Sequence, residues 1–93
     1  MINNYHILIV KFIGPSQLLD SRVKIISERF HQSITFEYDD NSGNTLEQAE
    51  GWLLKNGHNV IGHGEGKDHY YVVCGHVNGS FQALRITGAN CKA

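Results

Sequence analysis

A chain of 93 residues has room for one domain and not two, and with 41% hydrophobic and 18% charged residues it can bury a modest core instead of staying disordered. A formal net charge of −1 argues against a strongly basic nucleic-acid clamp and against an acidic nucleic-acid mimic, though it leaves local patches of either sign open. No run approaches the ~18 apolar residues of a membrane span. Met1-Ile2-Asn3-Asn4 has neither a basic region nor a small-residue cleavage site, so a cytoplasmic protein without membrane association is expected.

No internal repeat, low-complexity stretch or linker interrupts the chain. A first strand is expected over residues 5–13. His6, Leu8, Val10 and Phe12 share one parity, Tyr5, Ile7 and Ile9 the other. A strand apolar on both faces belongs in the middle of its sheet. Gly14-Pro15 closes it. After a loop over 14–20, Val23 and Ile25 alternate with Arg22 and Lys24, the period of a half-exposed strand over 22–27. A turn over 28–30 leads to a third strand over 32–38, with Ile34, Phe36 and Tyr38 on one side and Ser33, Thr35 and Glu37 on the other.

Residues 39–44 read as a loop by composition. Asn44 and Glu47 make a capping-box pattern, and Leu46, Ala49, Trp52 and Leu53 recur at helical spacing. A helix over 45–56 should end where Gly57 takes a left-handed conformation. A fourth strand is expected over 59–62, then a mobile glycine-rich turn over 62–68 and a fifth strand over 69–76. Asn78-Gly79 is a two-residue hairpin signal, so a sixth strand over 80–86 should return beside the fifth, ahead of a frayed tail over 87–93. The expected fold is α+β. It is a two-layer sandwich of five to six mainly antiparallel strands in the order β-β-β-α-β-β-β, with one amphipathic helix on one face and an ordered core over about 4–86.

Two cysteines are too few for a disulfide framework. Cys74, in an apolar strand, is expected to be a buried free thiol, and a bridge to Cys91 in the tail is disfavoured in a reducing compartment. Six histidines are many for this length. His58, His63, His69 and His76, with Glu65, Asp68 and Cys74, invite a zinc reading, because zinc takes four N, S or O ligands. The spacing lacks C-x-x-C and H-E-x-x-H, and Cys74 with His76 on one strand face makes only two ligands. Surface and strand-end histidines, with no metal and no cofactor, are the expectation. Gly62, Gly64 and Gly66 before Lys67 suggest a phosphate cradle, but a strand follows where a helix N-terminus is needed, so a flexible turn is expected.

Three functional readings stay open. His63, Lys67, His69 and His76 include the general base, general acid and cation that a small phosphodiesterase or metal-dependent enzyme needs. Arg22, Lys24 and Arg29, with one of Tyr70 or Tyr71, could hold a nucleic acid, since aromatic rings on a sheet stack bases. Unpaired sheet edges could take a protein partner by strand addition, anchored by Phe30, Leu18 or Leu19.

Two segments carry a resemblance. The run Ser21-Arg22-Val23-Lys24-Ile25 through Tyr38, and Trp52-Leu53 through Asn56-Gly57, Gly62 and Tyr70-Tyr71-Val72, resemble small uncharacterised proteins of bacteria, their phages and other mobile elements. The resemblance spans roughly residues 5–76 and assigns no catalytic residue. It implies an accessory protein that binds a host protein, such as a defence nuclease. A non-enzymatic protein-binding module is therefore the expectation. A homodimer through a sheet edge or the second sheet face remains open, and a nucleic-acid module and a histidine-based enzyme are the alternatives.

Overall fold

Six elements follow one another in a computed structural model of the chain, which describes residues 4–15, 17, 20–41 and 43–84: β1 (His6–Ile13), β2 (Arg22–Ser27), β3 (Gln32–Glu37), α1 (Thr45–Lys55), β4 (Val60–Glu65) and β5 (Tyr70–Cys74). The strands make one sheet in the order β3-β2-β1-β5-β4, with every neighbouring pair antiparallel. β1 takes the centre, as a strand apolar on both parities requires. The chain leaves the sheet at the β3 edge, crosses one face as α1, and rejoins it at the β4 edge.

Local signals set both ends of α1. The Asn44 side chain accepts from the Glu47 N–H and Glu47 Oε1 accepts from the Asn44 N–H, each at 2.9 Å, so the capping box closes in both directions. The Gln48 side chain ties the preceding loop down by donating to the Asp39 and Gly43 carbonyls. At the other end Gly57 has φ 86°. The His58 N–H donates to the Leu53 carbonyl and the Gly57 N–H to that of Leu54, the paired bonds of a Schellman turn.

The core lies between α1 and the sheet. Leu8 and Val10 of β1, Val23 and Ile25 of β2, Val72 and Cys74 of β5 and Ala49 and Leu53 of α1 are buried together, with Leu84 closing one end. Phe36 of β3 lies parallel to Trp52 of α1, centroids 6.5 Å apart. Every strand residue in this core has the parity read from the sequence.

Two expectations are corrected. The glycine-rich stretch is not all turn: β4 runs to Glu65, because pairing with the β-branched and aromatic residues of β5 outweighs the weak strand preference of Gly62 and Gly64. The turn itself is short, with the Gly66 N–H donating to the His69 carbonyl at 2.7 Å. The expected sixth strand does not form over its described part. Asn78 and Gly79 do make the turn, with φ of 53° and 86°, but it closes only a single Val77–Ser80 bridge. β5 already has β1 on one side and β4 on the other, so no edge is left for a returning strand. Residues 81–84 cross the end of the sheet instead, and the Leu84 N–H donates to Gln32 Oε1 at the start of β3. Leu18, Leu19, Cys91 with its suggested bridge, the end of the sixth strand and the 87–93 tail lie outside the described residues. Among those described, no helix is long and apolar enough to cross a membrane.

Candidate functional site

Side chains alternate across a strand, so the residues between the core positions face away from α1. On this open face the register places Ile9 between Ile26 of β2 and Tyr71 of β5, and Ile7 beside Val73. Gly64 lies beside Tyr71 and Gly62 beside Val73, so the trough runs bare to the β4 edge. Ile7 keeps 44% of its surface exposed, and Ile61, at the β-bulge between Val60 and Gly62, keeps 48%. The centre of the open face is thus apolar and wet.

One residue pair along the strands, the composition changes. Lys11 lies directly across from Lys24, which lies across from Thr35; beyond them Ile13, Arg22 and Glu37 form the next row. Like charges directly opposite on a sheet repel. Among the described residues neither lysine has a salt-bridge partner, and the buried Arg22 Nε has no hydrogen-bond partner. Three cations and one carboxylate occupy the strand positions of this face, although the chain as a whole has net charge −1. The ion pair found among the described residues, His63 Nδ1 with Glu50 Oε2 at 2.7 Å, joins β4 to α1 on the other face.

The end of the sheet where β1 begins holds a different cluster. His6 is 3% exposed, with Nε2 2.9 Å from Ser27 Oγ and Nδ1 unpartnered; His58 is 5% exposed, with both ring nitrogens unpartnered. Burial pushes both below the ordinary histidine value, with Arg29 adding to the effect on His6 and His6 to that on His58. Phe81 stacks on His76 at 4.3 Å, and the Arg29 guanidinium lies 4.6 Å from the Phe81 ring centre. His58 is therefore a core residue and not the surface histidine expected, because the Schellman turn swings it in beside Trp52. Cys74 is a free thiol whose pKa is pushed up to about 11, mainly by burial and then by Glu50, so it stays protonated and unreactive.

The residues of the enzyme reading do not converge. His63 is held by Glu50, while His69 Nε2 lies 2.8 Å from the Tyr71 hydroxyl, in the same turn as Lys67. His76 lies beyond the opposite end of β5, whose five residues alone span roughly 17 Å at the usual strand rise. Lys67 and His69 do share a shallow cleft with Glu65, Asp68, Thr45 and Phe12. Among the described residues no three His, Cys, Asp or Glu side chains are grouped to hold a metal ion.

The nucleic-acid set is only partly assembled. Arg22, Lys24 and Tyr71 share the open face, whereas Tyr70 packs against the core. Arg29 belongs to the histidine-aromatic cluster, as does Phe30, which lies half-buried against His6 and is no free anchor. Sequence reasoning missed Lys11, Ile26 and Val73. Lys11 has the parity of Ile7 and Ile9, a signal present in the sequence, but its position beside Lys24 depends on strand order.

Comparison of the chain with protein-family models, with curated proteins and with solved structures gives no match to any of them.

Proposed function

We propose that this chain is a non-enzymatic protein-binding module whose partner docks on the open face of the sheet. The observation that carries this reading is the apolar area on the side opposite α1, made by the exposed Ile7 and the half-buried Ile9, Ile26, Tyr71 and Val73. An apolar centre beside a charged row is the layout of a protein interface. The resemblance to mobile-element proteins supports a host protein as the partner, inhibited or regulated by docking, with a defence nuclease as one example. Affinity capture from a bacterial lysate tests it. A protein held by the wild type and lost with Ile7→Asp is the expected result; turnover of RNA or DNA by the purified chain, unaffected by Ile7→Asp, would overturn it.

The second reading, a nucleic-acid module, is favoured by Lys11, Arg22, Lys24 and Tyr71 on one face. It requires binding to single strands that weakens with salt and with the double change Arg22→Ala and Lys24→Ala. Absence of binding at low salt removes it.

A further inference from the structure

We infer that the occupant of the open face is an acidic protein segment that runs across the strands, its apolar side on the Gly64–Tyr71–Ile9–Ile26 row and its carboxylates on the Lys11–Lys24 row. This rests on the protein-binding reading above and names the chemistry of the partner. Two separate observations carry it.

The first is charge. Lys11 and Lys24 stand side by side, two residues along the strands from Ile9 and Ile26, with no carboxylate of the described chain in salt-bridge range. Same-face rows in a sheet lie roughly 7 Å apart, the separation of two strand residues. A segment seated on the apolar row therefore places the side chains along one of its borders over the two ammonium groups. Carboxylates there relieve the lysine–lysine repulsion, and lysines or arginines would add to it.

The second is open space. Glycine inside a strand weakens it and often marks a place where another chain comes close. A Cβ added at Gly62 or at Gly64 would meet no atom within 4 Å, so packing within the fold does not demand glycine at either position. What their missing side chains do is leave the flanks of Val73 and Tyr71 bare at the β4 edge, where a segment crossing the strands can enter.

The other occupants fit less well. A second copy would bring a face with three strand cations and one carboxylate against the same face, with no acidic row for Lys11 and Lys24 to meet. A single-stranded nucleic acid satisfies the lysines but stacks on aromatic rings. Among the described strand residues of this face the one aromatic ring is Tyr71, its hydroxyl held by His69, and its neighbours are aliphatic.

The test pans a displayed library of random peptides against the wild-type protein and measures the selected peptides on three variants: Ile7→Asp, Gly64→Val, and the double change Lys11→Glu with Lys24→Glu. Expected are peptides that combine apolar residues with Asp or Glu. Each of the three variants should weaken their binding by about tenfold or more: Ile7→Asp puts a charge into the apolar area, Gly64→Val fills the open space at the β4 edge, and the lysine reversal sets like charges against the carboxylates. Circular dichroism controls for folding. Peptides without acidic enrichment, or acidic peptides that bind the lysine-to-glutamate variant undiminished, overturn this inference; if those peptides are still lost with Ile7→Asp, the protein-binding reading stands. Peptides indifferent to all three variants sink both. A single-stranded oligonucleotide binding more tightly than any peptide, or a concentration-dependent dimer abolished by Ile7→Asp, replaces the inference with the corresponding occupant.

Discussion

Leu8 and Ile7 are consecutive residues of β1, yet Leu8 is wholly buried beneath α1 while Ile7 keeps 44% of its surface in solvent. The same strands build both environments. On the α1 side the buried apolar positions of β1, β2 and β5 meet a helix whose two ends are fastened by a capping box and a Schellman turn. On the other side apolar residues such as Ile7 meet water, and among the described residues Lys11 and Lys24 beside them have no carboxylate in salt-bridge range. The difference teaches that hydrophobicity along a strand does not distinguish a core position from one left open to solvent. What decides is whether the rest of the chain supplies a cover.

The strongest way to break this contrast is to truncate one residue from each face. Leu53→Ala or Leu8→Ala should cost about 2–5 kcal/mol in urea unfolding, through lost burial and a residual cavity. Ile7→Ala should cost less than about 1 kcal/mol, because part of its surface is already hydrated. Equal losses would mean that both faces are core.

A second experiment probes the buried, incompletely hydrogen-bonded histidines on the helix side. The fold accommodates His6 and His58 as neutral imidazoles, so their native pKa values lie below the ordinary 6.5. Between the native and ordinary values the unfolded chain binds more protons than the folded one. Stability should be full above about pH 6.5 and fall as the pH drops below it, through the lowered native values. His58→Leu should flatten much of that loss and stabilise the neutral protein by about 1 kcal/mol, since it removes a buried group with no hydrogen-bond partner. A wild-type stability unchanged from pH 8 to pH 5 would contradict the burial of both rings.

Smaller effects sharpen the same comparison. Asn44→Ala should destabilise by about 1 kcal/mol in thermal melts, since the Glu47 N–H loses its acceptor. The smallest change is expected from Gly64→Val, within about 0.5 kcal/mol of the wild type, because the new side chain enters free space on a strand. A large loss there would show that the trough is structural.

Much of this fold can be read from local chemistry. Asn44, Glu47 and Gly57 announce the helix ends, and the two-sided pattern of β1 puts it at the centre, because each signal acts within a few residues. The expected sixth strand is absent over its described part because Asn78-Gly79 specifies a turn but not a vacant edge. Whether β5 has one depends on β4 and β1 having paired with it already. The candidate site was half legible for the same reason. Parity assigns Arg22 and Lys24 to one face, but the choice of Tyr71 over Tyr70, the arrival of Lys11 beside Lys24 and the distance between His69 and His76 all depend on register. The burial of His58 has no local sequence signal, because it follows from the direction in which the helix turn releases the chain.

The pairing of His6 with Cys74 and Val10 with Tyr70 also sets a timetable. As the chain is synthesised, β1, β2 and β3 can form their meander from near neighbours, but β1 then exposes an unpaired edge that is apolar on both sides. It must wait from the end of β3 at Glu37 until Tyr70, 33 residues later, before β5 begins to arrive and close it. Such long-range closure slows folding and leaves a sticky intermediate. The apolar residues that the finished sheet still leaves open to water, Ile7 among them, are during that interval flanked by an unpaired edge and in need of protection from neighbouring chains.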